Sequence, residues 1–120
     1  MSDSKNDFLT RSPDFIARLK YRTAEEGGRS NPAYSGYRPH VKFSGKSELT
    51  SGQQKFINTD KVNPGETVDA GITLVWTDPF KSYLHESLEF GFYEGSVLVG
   101  TGIILQVLDK SLEKKFNTEL

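Results

Sequence analysis

The chain has 120 residues and no cysteine, so disulfides, thiolate zinc sites and a cysteine nucleophile are excluded. Fifteen Lys and Arg against sixteen Asp and Glu give a net charge of -1 at pH 7, which predicts no global pull on nucleic acid or anionic lipid and leaves only local patches for such partners. No apolar run approaches the ~18 residues of a membrane helix, and the polar N-terminus lacks the core of a secretion signal, so the expectation is one domain in the cytoplasm.

Residues 1–13 are rich in Ser, Asp and Lys and read as a polar arm that Phe8 and Leu9 could tack down. From Asp14 the pattern becomes strict alternation. Phe15, Ala17, Leu19 and Tyr21 fall on one face and Arg18, Lys20 and Arg22 on the other, which is the period of a half-buried strand. Glycine and proline punctuate the segment from Glu25 to Pro32, and alternation resumes from Tyr37 to Phe43 after the turn at Ser35-Gly36. Ser44 to Gly52 reads as a polar loop and Gln54 to Asn58 as a short strand. Asn63-Pro64-Gly65-Glu66 has the composition of a tight turn. Thr67 to Trp76 alternates, with Val68, Ala70, Ile72, Leu74 and Trp76 inward. Leu88, Phe90 and Phe92 mark the next strand, Glu94-Gly95 a turn, and Val97 to Leu108 the last strand. Lys110 to Leu120 has a weak helical period through Leu112 and Phe116. About six short strands separated by Gly and Pro predict an antiparallel barrel or sandwich over 14–108, followed by a tail over 109–120.

Glu25-Glu26-Gly27-Gly28-Arg29, Pro32, Gly36-Tyr37-Arg38-Pro39, the Pro64-Gly65-Glu66 turn, Leu88-Glu89-Phe90, and Glu94-Gly95 before Val99-Gly100-Thr101-Gly102 follow in an order that resembles the third domain of bacterial elongation factor Tu. The likeness runs from about Phe15 to Leu108. It implies an all-β fold, a six-stranded antiparallel closed barrel, without the family's GTPase domain and second barrel. With Met1 at the start and a tail beyond the family's usual end, the expectation is a stand-alone barrel.

The same resemblance implies what the loops do. In the family they lie where the third domain meets the GTPase domain, so Gly27, Gly28, Arg29, Tyr37, Arg38 and His40 would line a protein-facing surface, with another molecule as partner. The family's third domain also contacts the T-stem backbone of aminoacyl-tRNA through basic residues of the corresponding hairpin. This chain departs there, with Tyr93 in place of Arg, Ser96-Val97-Leu98 in place of a Gly-Arg-Thr type sequence, and His40 in place of Gln. Lost phosphate contacts weaken such binding steeply.

Read from the residues themselves, Gly27 and Gly28 suit a turn with positive φ, and Arg29 and Arg38 could instead brace the loop by donating to backbone carbonyls or to Glu25 or Glu26. Arg18, Lys20 and Arg22 form a row of cations about 6.6 Å apart per step, a spacing that suits phosphates along one strand and equally a solvated outer face. Those three are the candidates for RNA. No catalytic arrangement is expected. His40 and His85 are far apart, no Ser/His/Asp set or paired carboxylates stand out, and Asp14, Glu25 and Glu26 read as solvated acids. No metal cluster or cofactor is expected either. Gly45-Lys46-Ser47 ends like a phosphate loop, but His40 stands where the loop's first glycine belongs and no helical pattern follows, so GTP binding by this chain is not expected.

Overall fold

The structure, a computed structural model, describes residues 11–115. Its strands are β1 (Phe15–Tyr21), β2 (Ala33–Tyr34), β3 (His40–Phe43), β4 (Thr50–Phe56), β5 (Lys61–Val62), β6 (Thr67–Leu74), β7 (Glu89–Glu94) and β8 (Val97–Val107). Six of them close an antiparallel barrel in the order β1-β6-β4-β3-β7-β8, and β2 pairs with β5 in a separate two-stranded ribbon. The chain is thus an all-β closed six-stranded barrel, one of the two arrangements that alternation predicts and the one that the resemblance implies.

Alternation builds it. In β1 Phe15, Ala17, Leu19 and Tyr21 are buried while Arg18 and Lys20 face out. The interior is largely aromatic. Phe15, Phe43 and Phe90 meet with ring centroids 5.9, 5.8 and 5.5 Å apart, and Tyr21 lies 5.0 Å from Phe92. Space for these rings comes from glycines on the facing strand: a methyl on Gly102 would stand 2.3 Å from Phe90 and one on Gly100 2.5 Å from Phe92. One polar pair shares the interior, Tyr21 donating from its hydroxyl to Gln54 Oε1. Burial therefore raises the Tyr21 phenol well above its ordinary pKa, with Tyr37 adding to the rise.

Several expectations change. β4 begins at Thr50 rather than Gln54, because Thr50, Gly52 and Gln54 face inward without an apolar signature. Trp76 is 49% exposed rather than inward. The Asp14 carboxylate accepts the Leu74 N–H at 2.8 Å and ends β6 there, so Trp76 lies past the end of the barrel with no interior to enter. Asp14 is not a solvated acid either. It is 1% exposed and also takes Arg11 at 2.7 Å. Over 110–113 the tail forms a turn and a parallel bridge from Glu113 to Leu84, and buried Leu112 joins Phe80 and Leu84 in closing that end of the barrel. The remainder of the tail expectation, Phe116 included, lies outside the described residues, as do Phe8 and Leu9 in the N-terminal arm.

Candidate functional site

At the opposite end of the barrel the fold collects the two motif loops. β1 stops at Tyr21, and the chain turns with reciprocal hydrogen bonds between Thr23 and Glu26: the Thr23 N–H donates to Glu26 Oε1 at 2.8 Å, and the Glu26 N–H to Thr23 Oγ1 at 3.1 Å. These bonds outweigh partial desolvation of Glu26: the backbone N–H of Thr23 leads in holding that carboxyl below the usual range. Gly27 follows at φ +100, as a turn there requires, whereas Gly28 has no positive φ. Gly28 answers to crowding instead, since a methyl on it would stand 2.7 Å from the Arg22 carbonyl oxygen.

That turn delivers Arg29 to a junction of three segments. Its Nε donates to Asn31 O at 3.2 Å, one terminal nitrogen donates to Pro32 O at 3.1 Å and the other to Glu94 Oε2 in the β7–β8 hairpin. The Tyr37 hydroxyl donates to the same carboxylate oxygen, and the guanidinium lies 5.0 Å over the Tyr37 ring. Arg29 thus braces the loop through carbonyls, as one expectation had it, but its carboxylate is Glu94 rather than Glu25 or Glu26. Partial burial works against ionisation of Glu94, yet the bonds from Tyr37 and Arg29 prevail and hold its carboxyl below the ordinary range. Desolvation, reinforced by Glu94, pushes the Tyr37 phenol up. Arg38 and His40 sit exposed beside this junction, His40 opposite Tyr93 in the β3–β7 ladder. The structure therefore brings all six loop residues to one end, and adds Glu94, which the sequence signals only as part of a turn.

The cation row fares differently. Arg18 makes a two-pronged bond to Asp69, at 2.8 and 3.1 Å, and Lys20 donates to Gly65 O at 2.9 Å. Arg22 lies past the end of β1 and donates to Leu98 O at 3.0 Å and to Glu26 O. Only Arg18 and Lys20 keep the outward strand spacing.

Among the described residues no group of three or more His, Asp or Glu could hold a metal ion, and no helix is long and apolar enough to cross a membrane. Gly45 turns the chain between β3 and β4 at φ +83, with no helix after it to present N–H groups to a phosphate. No protein-family model matches the chain.

Proposed function

We propose that this chain is a non-catalytic binding module that engages a protein partner through Gly27, Gly28, Arg29, Tyr37, Arg38 and His40. The observation that carries this reading is the junction at Glu94, where one carboxylate takes both Arg29 and Tyr37. It ties two loops and a hairpin from distant parts of the chain into one pre-ordered surface. Pre-ordering removes a cost that a partner would otherwise bear on binding. Arginine and tyrosine are the side chains that most often anchor interfaces. The resemblance to the third domain of elongation factor Tu supplies the class of partner, a translation-related GTPase or another subunit of such an assembly, acting in the cytoplasm. Binding of RNA through Arg18, Lys20 and Arg22 has less support, because Arg18 is paired with Asp69 and Arg22 lies past the end of β1, donating to Leu98 O and Glu26 O.

The test is capture from cell lysate by the tagged protein, with and without nuclease, read by mass spectrometry. A nuclease-resistant protein partner should be retained by Arg18→Ala/Lys20→Ala and lost by Arg38→Ala while a thermal melt shows that variant still folded. Capture that disappears with nuclease, or with the Arg18/Lys20 pair alone, would replace this reading with the RNA one.

A further inference from the structure

A second surface, on the wall of the barrel, carries polar groups that the fold leaves unengaged. β1, β8, β7 and β3 lie side by side there, and their register sets Lys20 opposite Thr101, Thr101 opposite Gly91 and Gly91 opposite Lys42. Two lysines thus flank a floor of one threonine and one glycine, with their backbones about 14 Å apart at the ~4.8 Å spacing of neighbouring strands. Tyr93, Leu98 and Ile103 wall the groove, whose volume is about 600 Å³. Tyr93 lies folded over the glycine: a methyl on Gly91 would stand 3.2 Å from the Tyr93 hydroxyl and 3.1 Å from Leu98 Cδ1. Among the described residues, the Tyr93 and Thr101 hydroxyls and the Lys42 ammonium have no hydrogen-bond or ion-pair partner. Lys20 donates to the neutral Gly65 carbonyl and makes no ion pair, its charge acting only at longer range on Glu26.

Charge decides the class of ligand. Arg18 at the rim is already neutralised by Asp69, and Glu89, across Ile103 from Arg18, lines the same groove. A polyanionic backbone laid along the groove would meet the Glu89 carboxylate as well as the lysines. A single carboxylate beside Thr101, between the two lysines, comes within reach of both ammonium groups and of the Thr101 and Tyr93 hydroxyls, with apolar wall on either side. We infer that this groove docks an extended segment of a partner protein that carries one acidic side chain, with apolar side chains two residues before and after it. In an extended segment those three side chains share a face. The acid sits between Lys20 and Lys42, and its apolar neighbours pack on Leu98 and Ile103. This goes beyond the loop surface and does not depend on it.

The test is amide NMR titration of the intact chain with a blocked Val-Thr-Glu-Thr-Val peptide, its Gln analogue, and a short oligouridylate. The acidic peptide should give saturable shifts at Gly91, Leu98 and Thr101. The Gln analogue, or Lys42→Gln in the protein, should weaken it by about three- to fivefold, the range of an exposed ion pair, whereas Arg38→Ala should leave it unchanged. Lys42 is exposed, so its substitution leaves the core intact. No saturable shift at these amides, equal binding of the Gln analogue, or tighter binding of the oligouridylate would each overturn the inference.

Discussion

Glu94 is where single-residue chemistry shapes the candidate site. Its carboxyl is held below its ordinary value of 4.5, so the sign of its pH effect follows from linkage. The ionised form is favoured by folding, so its contribution is present above the ordinary value and is lost as pH falls through the lower folded value. Glu94→Gln should melt below the parent at neutral pH, and the difference should vanish in acid; a gap that persists in acid would show that charge is not what Glu94 supplies. The phenols give the opposite slope. Tyr21 and Tyr37 are both raised, so they stay neutral in the folded chain after an unfolded phenol would ionise, and stability declines as pH rises past about 10. Of five tyrosines, these two should titrate only together with alkaline unfolding, followed by ultraviolet absorbance beside circular dichroism. Neither residue's environment is legible in the sequence. Tyr21 is marked as inward by alternation, but its partner Gln54 lies on a strand that apolar periodicity underestimates.

At the scale of elements, glycines next to each other in sequence serve different needs. Gly27 supplies a positive φ, while Gly28 supplies room beside the Arg22 carbonyl in the turn that leads to Arg29, where the Gly28 N–H donates to Thr23 O at 2.9 Å. Gly28→Ala should cost about 1–3 kcal/mol by overpacking and shift the amide resonances of the 22–29 turn. Gly36, at φ +102 with open space around its Cα, should respond to Ala through backbone strain alone, leaving that turn in place. Thermal melts with amide spectra of both variants separate the two causes. β1, β3, β6, β7 and β8 are readable because their inward residues are apolar and alternate. β4 is only half readable, since Gly52 and Gln54 fill inward positions that a hydrophobic pattern does not flag. The ribbon of β2 and β5 has two residues on each side, too short for any period, and exists because the loops around it are pinned, as where the Ser35 N–H donates to Asp60 O at 2.8 Å.

For the whole molecule, Asp14 acts as a clasp. Its carboxylate holds the Leu74 N–H of β6, and its carbonyl accepts the N–H groups of Leu108 and Asp109, at 2.9 and 3.0 Å, where β8 ends. Asp14→Ala would leave the Leu74 N–H without that acceptor, a loss of about 1–3 kcal/mol for a buried donor. Asp14→Asn keeps an acceptor oxygen and should lose less, as denaturant titration would show. Equal losses would mean that the ion pair with Arg11, rather than the bond to Leu74, holds that end together.

By itself the sequence determined the strands and their buried faces. Apolar residues two apart, interrupted by Gly and Pro, dictate strands with one buried face that pack as a barrel or a sandwich, and the tertiary structure decides for the closed barrel. Only the tertiary structure decided which polar groups meet. Glu94 joins Arg29 and Tyr37, Arg18 is paired with Asp69, and Lys42 comes level with Lys20 across two intervening strands. Periodicity reports which face a residue takes, but barrel closure and strand register determine the residue opposite it. Those contacts span tens of positions along the chain and follow from packing the aromatic interior, which no local pattern encodes.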